Sequence, residues 1–350
     1  MKKFIFITTF FFTYLTQVSV SQNLIAVQNG GNPNFYIDIN AAITNALPGD
    51  TIYLPGGSFS LSIPINKELH LVGVGSHPDS TSATNRTIIG GPIYLETGAD
   101  YGSITGCYIN VYCYSGCGPC FYVNGTIIQY LITRCYFHSG IMFDAEASNF
   151  LIINNIIGSY GQGCLYGGSY SIQLKGSNHL VANNLILASI SDFNAGNLYK
   201  NNIFLYTTQW CSILNSVNNS EFDNNIFCGS RGSASNCLAN NNLGGFSNGI
   251  DGQNNQGINN YTISDPPLDS IFVSYTSPGW SFNNDFHLRA NSPYINAGRD
   301  GTDIGIYGGA FPWKDGSIPL NPHFQTVQIA PTTDSTGNLN VNIKVAAQDR

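Results

Sequence analysis

Charge is what this 350-residue chain has least of: 9% of its residues are Asp, Glu, Lys or Arg, against about a quarter in ordinary globular proteins. The little there is runs negative, with 13 basic against 20 acidic side chains and a net −7. That sign excludes a nucleic-acid partner, whose phosphates demand a basic footprint. Also missing is any apolar run of the ~20 residues that a membrane helix needs. The stretch 4–15 has only 12. With Lys2 and Lys3 before it and Ser19-Val20-Ser21 after it, it reads as a secretory signal cleaved after Ser21. No Cys follows that stretch until Cys107, which argues against a lipid anchor. The mature chain is expected to be secreted, extracellular or on the outer cell surface, and not membrane-spanning. Abundant Gly, Asn, Ser and Tyr suit a surface that faces water or sugars.

What the chain does have is a repeat. An Asn-Asn pair sits inside a short apolar run five times: Leu151-Ile-Ile-Asn154-Asn155-Ile-Ile157, Leu180-Val-Ala-Asn183-Asn184-Leu-Ile186, Leu198-Tyr-Lys-Asn201-Asn202-Ile-Phe204, Phe222-Asp-Asn224-Asn225-Ile-Phe227 and Cys237-Leu-Ala-Asn240-Asn241-Asn242-Leu243. A constant motif at unequal intervals means one stacked unit with variable loops. Helical repeats would place apolar residues at i, i+3, i+4 and i+7, whereas here they flank a polar pair on both sides. Each motif is therefore two short strands around a bend. Asn tolerates the left-handed backbone of such a bend and offers both donors and an acceptor. Stacked coils then build an internal Asn ladder, assigned to Asn155, Asn184, Asn202, Asn225 and Asn241.

The same frame runs further back, with Cys135 and Cys107 in the place of the second Asn. A third apolar segment lies between pairs, as in Gly140-Ile-Met-Phe143 and Ser171-Ile-Gln-Leu174. Three strands per turn make a parallel β-helix. Nine cysteines in an exported chain allow disulfides. Cys113, Cys117 and Cys120 form either a loop staple or a metal knuckle, and Cys228 with Cys237 makes a second local staple; Cys107 and Cys135 fit equally as unoxidised core thiols.

The two ends carry a resemblance. Asp38-Ile-Asn-Ala-Ala-Ile43-Thr-Asn-Ala46-Leu47-Pro48-Gly49-Asp50 gives an amphipathic helix, apolar at 39, 42, 43, 46 and 47 and ended by Pro-Gly. Thr51-Ile-Tyr-Leu54-Pro-Gly-Gly57 and Leu69-His-Leu-Val-Gly73-Val-Gly75 follow as strand and turn. This series resembles the N-terminal cap and first coil of right-handed parallel β-helix proteins of the pectate-lyase-like superfamily. Ser292-Pro293-Tyr-Ile-Asn296-Ala-Gly298 and Asp303-Ile-Gly305-Ile-Tyr-Gly308-Gly309 resemble its closing coils, in a form common among secreted proteins of the Bacteroidetes type. The expected fold is all-β: a right-handed parallel β-helix over 22–320, capped at about 37–48, with a short β tail over 321–350 in which 339–345 alternates as one strand.

That resemblance implies sugar binding along one strand face beside the loops that lead into it. Alternation turns Ile172 and Leu174 inward, Gln173 and Lys175 outward, and Asp144 matches Lys175 one coil earlier. Tyr160, Tyr166 and Tyr170 lie in the adjoining loop as stacking platforms, or else cover the coil wall. β-Elimination on a uronic-acid glycan needs a base and a neutraliser of the carboxylate. Lys175 is the candidate base, Asp144 and Glu146 the groups to tune it or bind Ca²⁺, and His138 or His179 a helper; the plain alternative is a surface ion pair. The chain departs from the superfamily's enzymes in lacking the polygalacturonase-type carboxylate series and the pectate-lyase-like Trp-x-Asp-His segment. The leading expectation is thus a cofactor-free, metal-free protein that interacts with extracellular glycan without cleaving it. A polysaccharide lyase and a structural adhesin module are the alternatives.

Overall fold

An apolar-polar-apolar triplet is the smallest strand that can wall a tube, and this chain stacks such triplets on three sides. The computed structural model describes residues 24–111, 118–158, 170–192, 194, 196–205, 213–228, 232–244, 252–261, 270–275, 280–318 and 322–346. The signal segment, Cys113, Cys117, Tyr160 and Tyr166 lie outside them. Sheet 1 has twelve strands, and sheets 2 and 3 have eight each. The chain passes from sheet 1 through the Asn corner to sheet 2, then through a variable loop to sheet 3, and back to sheet 1. Strands pair in parallel with their equivalents one coil on, as Leu151–Ile153 does with Leu180–Ala182 and Ile156–Ile157 with Leu185–Ile186. The architecture is a right-handed parallel β-helix, as the motifs imply.

Inward residues stack in register. Ile132, Ile152, Val181, Tyr199, Phe222 and Ala239 form one such column in sheet 1, all inaccessible to solvent, and neighbouring rings stack at 4.6 Å for Tyr199 and Phe222 and 4.7 Å for Phe204 and Phe227. Each fully buried side chain of this size contributes roughly 1.5–3 kcal/mol. The open end of the stack is closed by helix α1, Ile39–Asn45, whose first turn is capped by Asp38 accepting from the Ala41 amide at 2.7 Å. Ile39, Ala42 and Ile43 are buried. Leu47 is instead 69% exposed, because the helix ends at Asn45 and the extended Ala46 turns the next residue outward.

The Asn pairs divide two jobs between them. The first residue of each pair holds the left-handed backbone: φ is 57° at Asn154, 54° at Asn183, 53° at Asn201, 59° at Asn224 and 53° at Asn241. The second points inward. Asn155 donates its backbone amide to Asn184 Oδ1 at 2.9 Å, Asn184 to Asn202 at 3.0 Å, Asn202 to Asn225 at 2.9 Å and Asn225 to Asn242 at 2.9 Å. Each of these side-chain amides also donates to the Oδ1 of the next, all at 3.0 Å. The assignment of Asn241 to the ladder is corrected here: in the Asn240-Asn241-Asn242 triple, Asn240 ends a strand, Asn241 bends and Asn242 is the rung, which passes to Asn260 at 3.0 Å.

The outer residues hold a strap. The segment expected to form closing coils instead runs back along the Asn corner. Asn241 Nδ2 donates to Ala297 O, Asn224 Oδ1 accepts from the Arg299 amide, Asn201 Nδ2 donates to Asp303 O and Gly305 O, and Asn183 Nδ2 to Ile306 O and Gly308 O. Arg134, in the same corner position two coils before Asn183, donates to Ile318 O. Arg299 adds ion pairs to Glu221 at 2.7 Å and Asp223 at 3.1 Å. Beneath the strap a second core forms on the outer face of sheet 2, from Ile156, Leu185, Ile203 and Ile226 against Ile304, Ile306 and Phe286. The tail is a hairpin, His323–Ile329 antiparallel to Val341–Ala346, rather than a single strand.

The described cysteines Cys107, Cys120, Cys135, Cys228 and Cys237 are free and buried. A Cys228–Cys237 staple is therefore corrected: Cys228 ends sheet 2 while Cys237 occupies the corner between sheets 3 and 1, where its amide donates to Asn255 Oδ1 at 2.8 Å. Cys120 donates its thiol to Ser139 O at 3.0 Å.

The two Asn roles are separable by mutation. Asn184→Ala orphans the Asn155 amide, while Asn202 Oδ1 keeps the backbone amide of residue 184, and is expected to cost roughly 1–3 kcal/mol, read by denaturant unfolding. Asn183→Gly keeps the left-handed bend and removes only the strap bonds. Limited proteolysis should then cut faster within 297–318 while the unfolding midpoint moves much less than in Asn184→Ala.

Candidate functional site

The middle residue of each sheet 3 triplet faces outward, and the parallel register lines up Tyr94, Tyr122, Met142 and Gln173. The Tyr94 and Tyr122 rings stack at 4.9 Å with 20° between their planes. Two residues further along each strand, the outward position is Glu96, Asn124, Asp144 and Lys175 in turn. The face is thus an aromatic platform with a polar rim. Asn124 Nδ2 donates to Glu96 Oε1 at 3.3 Å, and Asn194 Nδ2 to Glu146 Oε2 at 2.6 Å. Partial burial, the neighbouring Tyr94 and the negative Asp144 push the Tyr122 hydroxyl's pKa up, so it stays protonated and able to donate. Loop backbone closes over it: a Cβ at Gly118 would lie 2.6 Å from the Tyr122 hydroxyl oxygen.

Asp144 and Lys175 do lie in adjacent coils, but the ammonium donates to the Asp144 backbone carbonyl at 2.9 Å rather than to its carboxylate. Gln173 stands in the platform's column two coils beyond Tyr122, past Met142. Tyr170 opens a sheet 3 strand, and its hydroxyl accepts from Asn215 Nδ2 at 2.8 Å. His138 sits on the connection from sheet 2 to sheet 3, its ring edge-on to Tyr108 at 6.5 Å. Tyr94 and Tyr122 are absent from the sequence-derived set. Their signal was available: Ile93-Tyr94-Leu95 and Phe121-Tyr122-Val123 are the same apolar-x-apolar triplets as Ile141-Met142-Phe143, two coils and one coil earlier. Among the described residues no three His, Cys, Asp or Glu side chains gather to hold a metal.

No family model matches the chain. No curated protein matches it either. Among solved structures it is similar to the PL6 family alginate lyase AlyGC and to a point mutant of that enzyme, each at 12% identity over 84% of this chain, with TM-scores of 0.27 and 0.26. The chain spans 58% of the length of each.

Two titratable groups lie beneath this face, inside the coil. Asp192 is fully buried at the end of its sheet 3 strand, where Asn197 Nδ2, the Tyr199 hydroxyl and the Ser220 hydroxyl donate to its carboxylate at 2.9 to 3.0 Å. Burial outweighs those donors and raises its pKa. His179 is also inaccessible, which removes it as a catalytic helper: it fills the inward position of the corner between sheets 3 and 1. There Nδ1 accepts from the Phe150 amide at 3.2 Å and Nε2 donates to Lys175 O at 3.2 Å, while its own amide donates to Asn197 Oδ1 at 2.8 Å. The imidazole does the work that an Asn side chain does in other coils.

Burial lowers the His179 pKa from 6.5 to about 4. A neutral imidazole favoured by folding contributes stability that is complete above the unfolded pKa and lost as pH falls through the folded one. The chain should therefore lose on the order of 3 kcal/mol from this group between pH 6.5 and 4. His179→Asn, which keeps an acceptor for the Phe150 amide, should flatten that part of the stability–pH curve. Asp192 acts in the opposite sense, its contribution fading as pH rises through its raised pKa. The difference between wild type and His179→Asn in thermal midpoint across that window isolates the imidazole.

Proposed function

We propose that the chain is an exported, non-catalytic glycan-binding β-helix that holds a neutral polysaccharide across the outer face of sheet 3. The observation that carries this reading is the Tyr94/Tyr122 platform with its rim of carboxylate, amide and ammonium groups. Ring faces pack on the C–H face of a pyranose, and amides and carboxylates take its hydroxyls. The reading of 1–21 as a secretory signal, the low charge and the similarity of the chain's ends to secreted β-helix proteins support an extracellular setting.

Charge at the rim argues against an eliminase. Along the rim the described residues set three carboxylates, Glu96, Asp144 and Glu146, against the one ammonium of Lys175, and a polyuronate brought there meets more like charge than opposite. Elimination also needs a base aimed at C5 and a fixed cation for the sugar carboxylate. Lys175 Nζ is held on a backbone carbonyl, so neither role is prepared.

A glycan array followed by calorimetry tests this reading. Binding to neutral glycans is expected, with Tyr122→Ala weakening it roughly 2- to 10-fold and Tyr122→Phe retaining most of it. Alginate and pectin should yield no ultraviolet-absorbing unsaturated uronate. Absence of any glycan ligand would leave a structural adhesin, and appearance of the unsaturated product would establish a lyase.

A further inference from the structure

The strap that closes sheet 2 also encloses space. Between it and the sheet lies a cavity of about 250 Å³, lined by Trp280, Phe282, Asp285, Tyr307, Trp313 and Asp315 among others. Its position follows from a change in the outward column of sheet 2. Where that column is aliphatic, at Ile156, Leu185 and Ile203, it shares one core with Ile304, Ile306 and Phe286 of the strap. One coil before Ile156 the column becomes Tyr136, on which Trp280 lies at 5.1 Å and Phe282 at 5.7 Å. The cavity lies where the two packings meet, with Ile156 and Leu185 as its sheet side beside this ring cluster.

The gap's polar groups are half used. Asp315 Oδ1 accepts from the Tyr307 hydroxyl at 2.7 Å, and Asp285 Oδ1 from His287 Nδ1 at 2.7 Å. Asn284 Oδ1 accepts from the Ser281 amide at 2.7 Å. Among the described residues the second carboxylate oxygens of both aspartates and the Asn284 amide nitrogen have no partner, so two acceptors and a donor remain beside aromatic walls. The lining contains no Lys or Arg. His77, also in the lining, is engaged by the Asp79 amide at 3.2 Å and by the Phe282 ring at 4.6 Å.

We infer that this strap cavity is a second, independent sugar site that takes a single neutral pyranose unit. The volume is just below the roughly 300–1,000 Å³ of pockets for drug-sized ligands, which is room for one ring and not for an oligomer. Tryptophan faces match the apolar face of the ring, the free carboxylate oxygens accept from two hydroxyls, and the Asn284 amide donates to a third oxygen. Two carboxylates in a lining that holds no Lys or Arg disfavour uronates and sugar phosphates. The cavity lies on sheet 2, apart from the sheet 3 platform, and stands whether or not that face binds glycan.

The site carries its own reporter, since two of the chain's three tryptophans line it. Intrinsic fluorescence is titrated with methyl glucoside, methyl mannoside, methyl galactoside, glucuronate, glucosamine and choline. A saturable change with at least one neutral methyl glycoside and none with glucuronate is expected. Trp313→Ala should abolish it, and Asp315→Asn, whose amide oxygen still accepts from Tyr307, should weaken it tenfold or more while remaining folded by circular dichroism. Tyr122→Ala should leave it unchanged, which separates this site from the platform. The inference is overturned if no neutral glycoside gives a saturable change, if glucuronate binds as well, if only glucosamine or choline binds, or if both cavity variants respond like wild type.

Discussion

Every coil must turn sharply against a packed apolar core, and the amide just after the turn then has no strand partner. A buried unpaired amide costs on the order of 1–3 kcal/mol, repeated coil after coil. The chain meets this constraint with the side-chain oxygen of the equivalent residue one coil on, 2.9 to 3.0 Å away along the Asn155–Asn242 column. The same device recurs at the corner between sheets 3 and 1, where His179 and Asn197 replace the Asn pair's inner member. Once both corners are satisfied along the stack axis, coil spacing no longer depends on the loops. Loop length is thereby freed to vary.

The outer member of the pair uses the same left-handed bend for a different purpose. Its amide faces out of the tube, and Asn241, Asn224, Asn201 and Asn183 present it in order to a strap that runs against the coil direction. A strap held at four successive corners cannot slide, so the side chains that it carries are placed as firmly as those of the strands. That is how Tyr307, Trp313 and Asp315 come to face sheet 2 although 120 or more residues separate them from Leu185 in the sequence. Packing follows from polar corner chemistry and not the reverse.

The sequence is legible where a residue type has one tolerable backbone and one tolerable environment. Asn-Asn between aliphatic runs meets both conditions, and the corner, the strands beside it and the helix cap were readable for that reason. The Asn240-Asn241-Asn242 triple was not, because any two adjacent members satisfy the local pattern and only the register with Asn225 selects the pair. His179 resists local reading for a related cause: an imidazole acceptor substitutes for an amide only when the next coil is known. Lys175 and Asp144 were placed correctly in adjacent coils, yet a flexible ammonium chooses between a carbonyl and a carboxylate on distances of tenths of an ångström. The strap resembles closing coils because its Asn partners lie 56 to 125 residues away, beyond any local period.

A rigid ladder also bears on binding. The rings of Tyr94 and Tyr122 are held 4.9 Å apart by the coil spacing, so a ligand meets a surface whose ordering was completed on folding. Association then spares the immobilisation of rotamer-rich side chains that flexible sites must bear, roughly 0.5–1.5 kcal/mol for each. Under the proposed glycan-binding reading such a face would gain affinity through preformed shape, whereas bond breaking would require groups held better in the transition state than in the ground state. At the rim Glu96 and Glu146 are each bonded to an amide and Lys175 to a carbonyl, while the Asp144 side chain is exposed. Preorganisation of that kind selects a ligand by fit and sign, and the sign here is negative.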